Sequence, residues 1–140
     1  MRCGVLRADR IVVNKRRREM LLLRGDSVLR VYRVALGRDP VGHKQQEGDG
    51  RTPEGQYTIN LRNPRSRYHL SLRISYPNAA DRARAAQLGV EPGGDIMIHG
   101  LKDGVARDDD WTQGCIAVTD TEMDEIWSLV PEGTPIRIDP

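Results

Sequence analysis

The stretch YHLSLRISYP, residues 68–77, constrains the fold more than any other part of the chain. His69, Ser71, Arg73 and Ser75 alternate with Leu70, Leu72, Ile74 and Tyr76. That period of two belongs to a strand with one buried face, because successive side chains of a strand point to opposite sides. VLRVYRVAL repeats the pattern, with Val28, Arg30 and Tyr32 on one face and Leu29, Val31 and Arg33 on the other. Upstream, RIVVN and EMLLL flank the basic tetrapeptide KRRR. Two apolar runs around a short polar link predict a hairpin, with Lys15 to Arg18 as a solvated tip. RGDS reads as a turn, so three hairpin-linked strands open the domain. QYTINLRN, DIMIHG and IRI supply further short strands.

Helix signals are confined to two segments. NAADRARAAQLG has Asn78 as an N-cap, an Ala-rich body and Gly89 as a stop. In TDTEMDEIWSLV, Thr119 and Glu122 match a capping box, and Met123, Ile126, Trp127 and Val130 share one helical face. The expected class is therefore mainly β with two short helices, in one domain spanning residues 1–140. A chain of 140 residues buries roughly two thirds of its unfolded surface and folds without a disulfide or metal. Phe is absent, so the core has to be built from Val, Ile, Leu, Trp and Tyr. Lys plus Arg number 22 against 20 Asp plus Glu, a net charge of +2, too mild to imply a nucleic-acid partner. No run approaches the roughly 18 apolar residues of a membrane span, and MRCGVLRADR lacks a signal-peptide core.

Between Gly37 and Gly55 the chain becomes a loop with five Gly and two Pro, a length that marks function or disorder in a small domain. Chemistry-bearing residues are few. Cys3 and Cys115 have no metal-site spacing, and Cys3 lies beside the terminus, where a disulfide to Cys115 is disfavoured. A nucleophilic Cys needs a base, and the base needs an orienting group. His99 ends the strand DIMIH, and Cys115 opens CIAV one loop later. Strands of one sheet would bring both side chains to the same edge. The Gly100 carbonyl can then accept from the imidazole, and Gly114 allows close backbone approach to a substrate. The amides of Gly114 and Cys115, with Gln113, can point at a developing oxyanion. An activated thiol would titrate below about 8.5. The competing reading, from spacing alone, is that both residues merely pack. His43 and His69 are expected to be solvated, and so is the run Asp108–Asp110, which lacks partners for a metal site.

IHG followed by TQGCIAV resembles the L,D-transpeptidase catalytic domain family (the YkuD type). VALG, GDGRTPEGQYTI and LRISYPN are similar to that family's segments ahead of the active site, so the resemblance spans about Ile11 to Ile138. It implies a YkuD-like β-sandwich of mixed sheets, with the Cys at the rim of one sheet. It also implies cleavage of a peptidoglycan stem tetrapeptide after its third, diamino-acid residue, through a thioester. By that resemblance Cys115 is the nucleophile, His99 the base and Gly100 its orienting carbonyl. Trp111, Thr112, Gln113 and Gly114 form the oxyanion and substrate segment. No metal or organic cofactor is implied, and the chain is expected to be monomeric. The donor would be a stem peptide. The acceptor would be an amine (another stem, a lipoprotein Lys or a D-amino acid) or water, which makes the enzyme an amidase. A non-catalytic peptidoglycan-binding module is the third reading, disfavoured because both Cys and His are present. Stem peptides are crosslinked outside the cytoplasmic membrane, so the periplasm or cell envelope is the expected location. One departure stands out: the family commonly has Arg two residues after the Cys, where this chain has Ala117. Arg51 or Arg73 is the expected substitute.

Overall fold

A computed structural model describes residues 6–101 and 109–140. Its elements are β1 (Arg10–Asn14), β2 (Glu19–Arg24), β3 (Ser27–Arg33), β4 (Gly55–Ser66), β5 (His69–Ile74), α1 (Ala79–Leu88), β6 (Met97–His99), β7 (Ile116–Ala117), α2 (Asp120–Leu129) and β8 (Pro135–Asp139). The strands are hydrogen-bonded in the order β3-β2-β1-β8-β4-β5-β6-β7. β1 with β8 and β6 with β7 are parallel, and the other neighbours are antiparallel. The expected mainly-β, mixed-sheet architecture with two short helices is present.

β4 joins the two halves of the sheet. Gly55–Thr58 pairs with β8, whereas Ile59 onward pairs with β5, with register shifts that bend the strand. The far ends then meet. Ala35, just past β3, exchanges two 2.9 Å hydrogen bonds with Ala117 on β7. The sheet thus curls on itself around one cluster. It includes Ile11, Met20 and Leu22 from the first half, Leu72, Ile98 and Ile116 from the second, and Met123 and Ile126 from α2. Each such fully buried aliphatic side chain contributes about 1.5–3 kcal/mol.

Both helices carry complete capping boxes, Asn78 with Asp81 and Thr119 with Glu122, and Gly89 ends α1 in the left-handed region at φ 70°. Four expectations need correction. The clean alternation in the third strand fails, because a bulge opposite Leu22 and Leu23 shifts its register. Tyr32 is buried and donates to Glu125 Oε1 at 2.9 Å, while Val28 and Val31 are more than half exposed. The basic hairpin tip is solvated only at Arg16 and Arg17. Lys15 is buried and its Nζ donates to Thr52 O at 2.6 Å, Gly42 O at 2.9 Å and Glu54 Oε2 at 3.1 Å. Arg18 forks onto Asp110, with Nη2 at 2.8 Å from Oδ2, so Asp110 is not a solvated loop residue either. Finally, His43 is a structural side chain. Its Nδ1 accepts the Glu54 amide at 2.7 Å and its Nε2–H donates to buried Asp81 at 2.8 Å.

The 37–54 loop is ordered around Asp49, which accepts from the amides of Gln45, Gln46 and Arg51 and from Lys44 Nζ. Lys15 pins the other side of the loop to the first hairpin. Asp49 thus holds the loop together internally, while Lys15 and the His43–Asp81 pair tie it to the rest of the domain.

Candidate active site

Three strands build the floor of the site. Ser71 on β5, His99 on β6 and Ala117 on β7 are register partners in one row across the sheet. Leu72, Ile98 and Ile116, their sequence neighbours, point into the core. Alternation therefore turns Ser71, His99 and Ala117 to the opposite face. Cys115, two residues before Ala117, shares that face. Tyr68, Trp111, Thr112 and Gln113 close over it, and with His99 and Cys115 they line a cavity of about 210 Å³.

His99 is buried, and its Nδ1 lies 2.6 Å from Gly100 O. A carbonyl can only accept, so Nδ1 carries the proton and Nε2 is the free, basic nitrogen. Burial lowers the imidazole pKa, and the bond to Gly100 partly offsets this. Tyr68 stacks on the ring at 4.5 Å and 23°, and Trp111 lies at 5.7 Å from it. The glycine at 100 is required by contact. A Cβ there would come within 2.2 Å of Asp120 Oδ1 and 2.7 Å of Tyr68 O. Both of those oxygens are in use. Tyr68 O accepts the Gly100 amide at 2.9 Å, and Asp120 Oδ1 accepts the Leu101 amide at 3.2 Å.

Cys115 is a free thiol. Its S–H donates to Asp95 O at 3.3 Å, and Sγ accepts the Met97 amide at 3.4 Å. Burial pushes its pKa up to about 11, opposed by the Met97 hydrogen bond. Burial thus shifts both groups toward their neutral forms, and the thiol shows no shift toward the thiolate.

The loop before Cys115 is stapled by Thr112. Its buried hydroxyl donates to Cys115 O at 2.7 Å and accepts the Gly114 amide at 3.1 Å. Gly114 has φ 135°, and a Cβ there would come within 2.7 Å of Arg51 O, so the close approach it permits is to the chain itself. This corrects one expectation. The Gly114 amide is committed to Thr112 and does not face a ligand.

Arg51 and Arg73 do not line the cavity. The Arg51 guanidinium packs against Gly42, and Arg73 Nε donates to Asn60 Oδ1 at 3.0 Å. Among the described residues, a guanidinium that does reach the rim is Arg38, which donates to the Gln113 side-chain oxygen and, at 2.9 Å, to Gly48 O. His69 pairs with Asp124 at 2.6 Å. Tyr68, Asp120 and Arg38 were not found by sequence reasoning. Only the proximity of Tyr68 to the alternating strand hinted at one of them. Among the described residues no group of three His, Cys, Asp or Glu could hold a metal, and no helix is long and apolar enough to cross a membrane. Asp108 and Cys3 lie outside the described residues.

A buried imidazole with a fixed tautomer, a thiol in the same cavity and a glycine-bearing loop of backbone amides are the parts that thiol-dependent acyl transfer uses. The L,D-transpeptidase catalytic domain model (YkuD) matches residues 8–138, and the chain belongs to that family. YafK of Escherichia coli (strain K12) is 36% identical over 101 residues, covering 71% of this chain and 36% of its own length. YqjB of Bacillus subtilis (strain 168) is 27% identical over 135 residues, covering 91% of this chain and 69% of its own. Both are named as putative L,D-transpeptidases. The helical cell shape determining protein Pgp2 from Campylobacter jejuni has the same fold, with a TM-score of 0.73 at 24% identity, over 91% of this chain and 46% of that one. The chain thus spans about a third of YafK and under half of Pgp2.

Proposed function

We propose that the protein is a cysteine acyltransferase acting on peptidoglycan stem peptides outside the cytoplasmic membrane. The observation that carries this reading is the sharing of one cavity by Cys115 and a His99 whose tautomer is set by Gly100, within the family match. His99 Nε2 takes the thiol proton as Sγ attacks the carbonyl of the diamino-acid residue. The amides of Gln113 and Cys115 receive the oxyanion. Collapse expels D-alanine, whose nitrogen takes the proton back from His99, and leaves a thioester on Cys115. An acceptor amine then attacks, gives its proton to His99 and releases the thiol. Water in place of the amine gives hydrolysis. Where the family commonly has Arg, Ala117 is buried, and Arg38 at the rim supplies the cation for a stem carboxylate.

Incubation with a stem tetrapeptide or a carbapenem, followed by mass spectrometry, tests the reading. Wild type is expected to gain one acyl adduct at Cys115, and Cys115→Ala none. Equal labelling of both proteins would sink it. Adding an amine acceptor separates transfer from hydrolysis by the product formed.

A further inference from the structure

The Gly100–Leu101 peptide unit sits between two side chains. Its carbonyl accepts from His99 Nδ1 at 2.6 Å, and its N–H donates to Asp120 Oδ1 at 3.2 Å. A single planar amide is thus hydrogen-bonded at both ends, to the imidazole on one side and to a carboxylate on the other. Resonance links those ends. A negative charge at the N–H draws that proton toward itself and shifts electron density to the carbonyl oxygen, which becomes a stronger acceptor. The absence of a side chain at residue 100 is what permits this contact, since a Cβ would meet Asp120 Oδ1 at 2.2 Å.

We propose that Asp120 is a positioning residue that acts on His99 through this peptide, completing a Cys115–His99–peptide–Asp120 chain. The proposal rests on the acyl-transfer reading of the site. When His99 Nε2 accepts the Cys115 proton, the imidazolium strengthens its Nδ1–H bond to Gly100 O, and Asp120 stabilises the polarised peptide that receives it. Asp120 is the first residue of α2, where the positive end of the helix favours a carboxylate. The helix thereby fixes the carboxylate relative to β6. Among the described residues, the other titratable groups around the imidazole are Tyr68, stacked on it, and Cys115, across the cavity. His69 and Asp124, on β5 and α2, form their own pair beside Gly100.

Asp120→Asn keeps an oxygen for the Leu101 amide and removes only the charge, whereas Asp120→Ala removes both. Asp120 is surface-exposed, so both variants are expected to fold with near wild-type melting temperatures. The full chain, ¹⁵N-labelled at histidine, is titrated by NMR, with the His99 signal identified by its loss in His99→Gln. The His99 midpoint is expected to move to lower pH in Asp120→Asn and further in Asp120→Ala. Carbapenem acylation of Cys115 is expected to slow by about three- to tenfold in Asp120→Asn, the scale of the difference between a charge-assisted and a neutral hydrogen bond. The acidic limb of its pH–rate profile should move with the NMR midpoint. An unchanged His99 titration in both variants overturns the proposal. A wild-type protein that resists acylation while the titration still shifts would instead remove the acyl-transfer reading and leave the relay standing.

Discussion

At the scale of single residues, the site depends on contacts that tolerate no added atom. Gly100→Ala places a methyl on Asp120 Oδ1 and Tyr68 O, and neither can withdraw without giving up its hydrogen bond. The substitution is expected to cost about 2 kcal/mol or more in urea unfolding and to abolish acylation of Cys115. The thiol itself gives a second test. With its pKa pushed up to about 11 by burial, Cys115 is protonated across the neutral range. Its alkylation by iodoacetamide in the free protein should keep rising past pH 9, with no plateau near 8.5. A plateau at neutral pH would show a preformed thiolate pair with His99. Tyr68→Ala removes the ring stacked on His99 and should slow acylation by about tenfold, whereas Tyr68→Phe keeps the stack and the rate, since such pairs are worth about 0.5–1.5 kcal/mol.

At the scale of elements, the long loop and α2 hold the site from two sides. Burial alone would raise the Asp49 carboxyl, but bonds from the Gln45, Arg51 and Gln46 amides and Lys44 together hold it below the usual carboxylate range. A depressed folded-state pKa means stability that is fully present above the ordinary value near 4 and is lost as pH falls through the folded value. Asp49→Asn should therefore destabilise by about 1–3 kcal/mol at pH 7, and the gap from wild type should close towards pH 2. An equal gap at both pH values would contradict the ionic role. In α2, Thr119→Ala removes half of the capping box and should cost about 1 kcal/mol. It should also slow acylation, because Asp120 follows directly.

At the scale of the whole molecule, the sheet closes where Ala35 meets Ala117, in the same row as His99. Ala117 is 1% exposed, so Ala117→Arg would force an unpaired guanidinium into the closure. Such a burial costs several kcal/mol. Loss of cooperative thermal unfolding is expected, rather than a restored substrate contact. A folded, more active Ala117→Arg protein would overturn this account of the position.

How much could be read without coordinates follows from which interactions are local. The β5 pattern, both N-caps and the pairing of IHG with TQGC depend on residues near one another in the chain, and period, cap and motif chemistry were legible there. Gly114 was also legible as a position of close approach, and Gly100 as the carbonyl beside His99. What they approach was not, because Asp120, Tyr68 and Arg51 arrive from other elements. Lys15 shows the limit most plainly. A lysine in KRRR is a solvated charge by any local rule, and only the folding of the 37–54 loop over the hairpin buries it against three oxygens. Periodicity and short motifs by themselves determined a mainly-β chain carrying Cys115 and His99. The curl of one sheet decided the rest, because long-range packing sets which carbonyl, ring and carboxylate surround His99. These include the burial of the thiol, the commitment of the Gly114 amide and the peptide shared by His99 and Asp120.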